Sequence, residues 1–441
     1  MESAFSEAAW AETLTKLPTS EATSLGAAAR DRRTAPSHVV YGGAHLFGTQ
    51  TIDKLEQIAR AGFETYLPDS DALAAVFGVA PAHAEEIHRR VDAQLRRQPV
   101  ADCRIDFEDG YGPRSDEEED AHASAAGEAV AALAASGRLG DRLIGVRCKR
   151  LAGASGLRAV RTLHHFFEAA KVPVRVTIPK VESVAEAAAA SALLAALERA
   201  YGLPEHGCAL ELMAETPAFF SEGIPKLHAI AAAAAARGRP VAVHLGSYDL
   251  TAGAGIPFVA QRPDHPILDH ARTLLALAFG GSDVELSDGA TTTLPIAPHK
   301  QPNSDDERVQ NAQVVTAAFR QHASDVAHAL RFGIYESWVL HPMQLVSHRV
   351  AQTRFFVEAL PGARSRLSRF LEGEARASRV GAEFDDAATG RGLLQFFVRA
   401  AALGLVDDDD PLLEETRRRF GDASGRGGPH VTRDVRRLRT M

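Results

Sequence analysis

Cysteine is scarce in this 441-residue chain: Cys103, Cys148 and Cys208 are the only three. Each falls in or beside an apolar run, and none forms a C-x-x-C pair. The pattern excludes a disulfide scaffold and a cysteine zinc site, and it fits buried thiols in a reducing compartment. Positive charge is not in excess. The 49 Lys+Arg against 57 Asp+Glu leave a net charge of -8 at pH 7, so the basic field that draws nucleic acid is missing. No uninterrupted apolar run is long enough to span a bilayer; residues 229–236 form a short, alanine-rich one. The opening Met-Glu-Ser-Ala-Phe-Ser-Glu lacks the basic n-region and apolar core of a secretory signal. The chain is therefore expected to be cytoplasmic, without nucleic-acid or membrane partners. Hydrophobic residues make up 45% and charged residues 24%, ordinary values for a globular protein.

What is present is an alternation. Short β-like runs at 38–41, 101–107, 143–148, 174–178, 209–213, 241–245, 283–286 and 337–340 are separated by amphipathic or alanine-rich stretches at 51–97, 117–135, 157–171, 184–201, 223–237, 267–279 and 309–332. These are the strands and crossover helices that an α/β fold of the (β/α)8 TIM-barrel type requires. Alternation alone also permits an open doubly wound sheet. The expected organisation is a helical N-terminal lead-in over 1–37, a barrel over 38–350, a helical C-terminal extension over 351–420 and a mobile Gly- and Arg-rich tail over 421–441. The 51–97 crossover is long enough for more than one helix.

In such a barrel, functional groups come from the carboxyl ends of the strands. Here those ends are polar. The first leads to His45, the second to Asp106, Glu108 and Asp109, and the third to Arg147. The fourth leads to Lys180 and Glu182, the fifth to Glu215, the sixth to Asp249, the seventh to Asp288 and the eighth to His341. A carboxylate at a buried strand end is costly unless paired or metal-bound. Glu215 and Asp249 are the candidate metal ligands, and hard oxygen donors suit Mg2+ or Mn2+. Asp249 can also be read as a helix cap, and Arg147 either as a fork for a substrate carboxylate or as the ion-pair partner of Glu108 or Asp106. Lys180 admits a Schiff base or a structural ion pair with its neighbourhood. Gly246 and Ser247 can place backbone N–H groups near an anion. His244 reads as a wall residue.

The ordered segments Asp106-Phe-Glu-Asp-Gly, Val146-Arg147, Ile178-Pro-Lys-Val-Glu-Ser183, Ala214-Glu-Thr216, Leu245-Gly-Ser-Tyr-Asp-Leu250 and Leu340-His-Pro-Met-Gln344 resemble the motifs of the citrate lyase β-subunit and HpcH/HpaI aldolase superfamily, which includes malyl-CoA lyases. The resemblance covers residues 39–344 and points to a divergent branch: Gly110-Tyr-Gly-Pro replaces the usual end of the second motif, and Cys-Lys-Arg follows the arginine. It implies a barrel that binds Mg2+ or Mn2+ through Glu215 and Asp249. It also implies contact between Arg147 and a 2-oxo acid, acid–base work by Asp106, Glu108 or Asp109, and a homo-oligomer, trimer or hexamer.

The expected activity is that of a metal-dependent carbon–carbon lyase or aldolase acting on a small 2-oxo acid through an enolate. Arg147, Gly246, Ser247, His45 and His341 would bind the substrate, and His45 or His341 could also relay a proton through water. Acyl-CoA lyase, malate-synthase-like condensation and CoA thioester hydrolysis are alternatives, as is a non-catalytic relative.

Overall fold

The computed structural model describes residues 37–280, 282–372, 378–380, 383–385, 387–407 and 410–420. The lead-in expected over 1–37, apart from Ser37, and the tail expected over 421–441 lie outside these residues. Eight parallel strands close into a barrel in chain order: β1 (Val39–Gly43), β2 (Asp102–Asp106), β3 (Leu143–Arg147), β4 (Arg175–Ile178), β5 (Ala209–Ala214), β6 (Val241–Leu245), β7 (Glu285–Asp288) and β8 (Glu336–Val339). The closed sheet removes the doubly wound alternative.

The first crossover holds three helices, α1 (Thr51–Tyr66), α2 (Ser70–Phe77) and α3 (Pro81–Arg97). Local signals divide them. Asp69 accepts from the Ala72 N–H to cap α2, left-handed Gly78 (φ 64°) ends it, and Pro81 opens α3. Single helices α4 (Asp116–Ala135), α5 (Gly156–Ala170) and α6 (Val184–Tyr201) follow β2, β3 and β4. Capping boxes at Ser115–Glu118 and Ser183–Glu186 start α4 and α6. A Cβ at Gly127 of α4 would strike the Phe166 carbonyl and lie 2.8 Å from Ala169 Cβ, so glycine lets α4 and α5 approach closely. Next come α7 (Pro217–Phe220) and α8 (Ile224–Ala234) after β5, then α9 (Ser247–Gly253) and α10 (Pro266–Phe279) after β6. Helix α11 (Asp305–Arg331) follows β7, and α12 (Gln344–Glu372) follows β8 and crosses the expected boundary at residue 350.

Strand β7 lies two residues downstream of its expected run. The polar pair Ser287-Asp288 ends it, and Asp288 is tolerated there because buried Arg272 of α10 holds both its oxygens, at 3.0 and 3.1 Å. Inside the barrel, apolar filling gives way to an ionic network. Fully buried Arg104 donates to Asp102, to Thr177 Oγ1 (3.1 Å) and to both oxygens of Glu211 (3.2 and 3.1 Å). Arg175 pairs with Glu285. Burial alone would raise the Glu211 carboxyl, but Arg104, His244 and Arg175 bring it well below the usual range. Gly145 leaves room for this network: its Cβ would lie 2.5 Å from the Arg175 carbonyl and 2.8 Å from Arg104 Cδ.

The three cysteines are free and buried. Burial pushes Cys103 and Cys148 up to about 12 and Cys208 to about 11. The described chain forms two compact units, one ending at Phe355 and one starting at Phe356. The second contains the antiparallel pair β9 (Ser378–Val380) and β10 (Glu383–Asp385), with helices α13 (Ala387–Ala402) and α14 (Pro411–Phe420). Within it, the Phe396 ring packs tilted against Phe356 and Arg364 pairs with Asp410. Among the described residues, no helix is long and apolar enough to cross a membrane.

Candidate functional site

Register places the first pair of groups. Asp106 and Arg147 end neighbouring strands and are direct partners across β2 and β3. Both are almost fully buried, and the guanidinium grips the carboxylate with two bonds, Nε to Oδ1 at 2.7 Å and Nη2 to Oδ2 at 2.6 Å. Asp106 also accepts from the backbone N–H groups of Glu108 (3.0 Å) and Gly110 (2.7 Å), which folds the β2 exit loop back over the strand end. A Cβ at Gly110 would meet Asp106 Oδ2 at 2.6 Å. The third guanidinium nitrogen, Nη1, lies 3.1 Å from Glu108 Oε2 and 3.7 Å from Asp109 Oδ2. The Tyr41 and Trp338 rings flank the guanidinium at 5.1 and 5.0 Å.

The β4 exit contributes an unusual backbone. Lys180 is a non-glycine residue at φ 53°. This left-handed turn aims its N–H at Glu215 Oε1 (2.7 Å) and its ammonium at Glu108. The same ammonium lies 3.5 Å from Asp109 Oδ1 and 3.9 Å from Asp249 Oδ1. Glu182, two residues on, takes Arg150 at 2.6 Å. Burial opposes the charge on Lys180, but Glu108, Asp249 and Asp109 outweigh it and raise the ammonium above its ordinary value. A lysine held protonated is a poor nucleophile, which counts against a Schiff base.

Glu215 follows β5 and is 1% exposed. Its carboxyl is pushed up to about 8, first by burial, then by Asp249 and Glu108. Glycine at 246 makes its seat, because a Cβ there would overlap both Glu215 Oε2 and its Cβ. Asp249 stands in the first turn of α9 with its side chain 42% exposed. It caps nothing: the N-cap is Gly246. Burial also raises the Glu108 carboxyl.

The structure thus gathers Asp106, Glu108, Asp109, Arg147, Glu215, Gly246 and Asp249 around Lys180. Ser247 opens α9 with its buried Oγ unpartnered among the described residues, tight against Gly289. His45 follows β1 beside the β2 exit loop, where a Cβ at Gly43 would lie 2.5 Å from the Gly110 carbonyl and 2.7 Å from His45 Cε1. The His45 ring faces Tyr111 and His122, at 5.7 and 6.4 Å. His341 accepts the Met343 N–H on Nδ1 (3.3 Å) and lines a cavity of about 610 Å3 with Tyr66, Ile296, His299, Lys300 and Arg308. Gln344 ties the β7 and β8 exits together: it accepts from the N–H groups of Leu340 and His341 and donates to the carbonyls of Thr291 and Thr293. His244 is a buried wall residue between Tyr41 and Trp338.

Among the described residues, only His164, His165 and Glu168 of α5 place three ligand atoms within 4.8 Å of one another. The strand-end carboxylates are spread more widely, with an ammonium among them. Two carboxylates and several waters are nevertheless what Mg2+ accepts, and buried Glu215, raised by burial and by Asp249, fits such an ion. Sequence reasoning noted Lys180 without placing it in the site. Its position after the fourth strand was the only available signal, since a lysine gives no sign that it will turn left-handed.

A family model described as a domain of unknown function, DUF6986, matches residues 26–418. A search of curated proteins finds no match. A citrate lyase from Burkholderia xenovorans LB400 superposes with a TM-score of 0.53 at 23% identity, over 76% of this chain and 94% of that one. A malate synthase from Haloferax volcanii, solved as a lead(II) complex, aligns with a TM-score of 0.44 at 14% identity, over 78% and 93%. The first likeness shows the TIM-barrel fold.

Proposed function

The chain belongs to the DUF6986 family, whose description assigns no activity, and from that premise we propose a divalent-metal-dependent carbon–carbon lyase or aldolase acting on a 2-oxo acid. The observation that carries the reading is Glu215: nearly wholly buried, pushed up to about 8, and seated beside Asp249 with Lys180 donating only a backbone N–H to it. Glu215 and Asp249 would hold Mg2+ or Mn2+. When bound, the ion would act as a Lewis acid on the keto oxygen of the substrate.

The chain's own residues supply the rest. Asp106 fixes the Arg147 plane, so Nη1 presents a positioned positive charge beside Glu108 and Asp109. In the cleavage direction, Glu108 takes the hydroxyl proton of the aldol. The hydroxyl carbon becomes the carbonyl of the departing fragment, the carbon–carbon bond electrons pass to the 2-oxo acid fragment as an enolate, and the proton taken by Glu108 returns to the enolate carbon to release the 2-oxo acid. Burial raises the Glu108 carboxyl against the pull of Arg147 and Lys180, which makes its carboxylate a better proton acceptor. Asp109, 56% exposed at its side chain, is the solvent-facing alternative.

Acyl-CoA chemistry is the second reading. It is favoured by the 610 Å3 cavity, whose lining includes Lys300, Arg308 and His299 and no carboxylate. A trimer or hexamer belongs to the same proposal, and sedimentation of the full chain tests it.

The deciding experiment follows proton exchange at the carbon next to the keto group of pyruvate and then oxaloacetate, in D2O by NMR, with and without Mg2+ or Mn2+. Exchange above the metal-only control is expected. No exchange with metal bound moves the assignment to acyl-CoA chemistry; no exchange and no metal binding removes the lyase reading.

A further inference from the structure

Lys180 is held from both sides of its backbone. Its φ of 53° lies in the left-handed region that glycine enters freely and a side-chain-bearing residue enters at a cost. The turn needs only the N–H that reaches Glu215, which any residue but proline supplies. The side chain must therefore matter. It reaches three carboxylates from the exits of two other strands: Glu108 in direct contact, Asp109 at 3.5 Å and Asp249 at 3.9 Å. A compact ammonium on a flexible four-carbon stem is the kind of cation that can leave. Arg147 is not: two of its nitrogens are locked on Asp106.

We propose that Lys180 is the exchangeable counter-cation of the site, contending with a divalent ion for Asp249 and turning to the anionic end of the substrate when the ion holds that carboxylate. This rests on the metal-site reading given above. Asp249 is the point of contention, since it faces the ammonium and is also one of the two ligands assigned to the ion. The exchange orders the events. Metal binding takes one of three carboxylates from the ammonium, and the positive charge left less fully balanced then selects a substrate whose far end is an anion. Neutral aldehydes and ketones gain nothing from it.

The test uses the full chain and Mn2+, with free ion read by electron paramagnetic resonance and oxaloacetate binding read by calorimetry. Lys180→Met removes the charge while keeping the stem, and Lys180→Arg keeps a cation. Lys180→Met is expected to bind Mn2+ at least about tenfold tighter than the wild type, because a like charge a few ångströms from the ion is gone. Lys180→Arg should stay near the wild-type value. In the Mn2+-loaded state, Lys180→Met should bind oxaloacetate at least about tenfold more weakly.

A merely structural lysine predicts the opposite sign for the metal. Equal or weaker Mn2+ binding in a folded Lys180→Met therefore overturns the contest while leaving the metal site standing. Tighter Mn2+ binding with unchanged oxaloacetate affinity overturns the transfer to substrate. Absence of Mn2+ binding in wild type and variant alike removes the metal site and this proposal together. If Lys180→Met does not fold, Lys180→Gln supplies the same comparison.

Discussion

Glu215 concentrates the electrostatic cost of the barrel mouth in one carboxyl group. An acid raised to about 8 is largely protonated at neutral pH, and a protonated carboxyl is a poor ligand. Mn2+ affinity should therefore rise about tenfold per pH unit up to about pH 8 and level off above it, with close to one proton released per ion bound. Calorimetry in buffers of different ionisation enthalpy would show the proton; pH-independent affinity would remove Glu215 from the ligand set. Glu215→Gln and Asp249→Asn should each abolish Mn2+ binding while leaving thermal unfolding within a few degrees of wild type. The acids at strand ends were legible in the sequence because each interrupts an apolar run. The sequence offers Arg147 as a partner of Asp106 or Glu108, as one of two readings, and it pairs with both. Whether Arg147 faces a substrate or its own carboxylates depends on the pairing of β2 with β3, and no local pattern fixes that register.

At the scale of elements, two short features position the site. Helix α9 begins at Ser247, directly after Gly246, and the space left by the missing side chain at 246 is filled by Glu215. Gly246→Ala would force the carboxylate aside. The expected result is a folded barrel with metal affinity reduced at least about tenfold, as a displaced ligand of this kind implies; unchanged affinity would show that the seat is elastic. Helix α6 depends on its start. Ser183 accepts from Glu186 N–H at 3.2 Å, and the Glu186 carboxylate returns a bond to Ser183 N at 3.0 Å. Ser183→Ala should cost about 1 kcal/mol in denaturant unfolding. Such caps can be read directly, as Ser-x-x-Glu before an apolar stretch. The extent of β7 could not be, because Ser287 and Asp288 look like a loop until Arg272 arrives from α10.

The whole molecule has its own response to acid. His38, His244, His322 and His348 are buried and held below their ordinary value, in each case first by burial; His244 is brought to about 4 and His322 to about 3. His38 accepts the Ala101 N–H on Nε2 (3.0 Å), a bond that protonation at that nitrogen would break. With depressed folded values, the unfolded chain binds more protons below pH 6.5. Stability from these groups is full above that pH and is lost on descending toward about 4 and 3. For His244 the shift from 6.5 to about 4 amounts to about 3 kcal/mol. The raised carboxyls of Glu215 and Glu336 run the other way, losing stability as pH climbs through their elevated range. The two trends oppose each other between about 4.5 and 6.5. The melting temperature should change little there and fall steeply below pH 4.5; a melting temperature held to pH 4 would contradict the assignment.

The barrel itself was readable from alternation and strand number. Its charged interior was not, because Arg104 and Glu211 lie 107 residues apart in the chain and meet only when the cylinder closes. The same closure gives the cysteines a practical consequence. Cys103 on β2 and Cys148 just after β3 lie at pKa values of about 12, and Cys208 at about 11 precedes β5. A thiol-specific chromophore therefore finds no reactive thiolate in the intact cylinder. Each label taken up records an opening of the molecule, so the protein carries its own clock for how often the barrel comes apart.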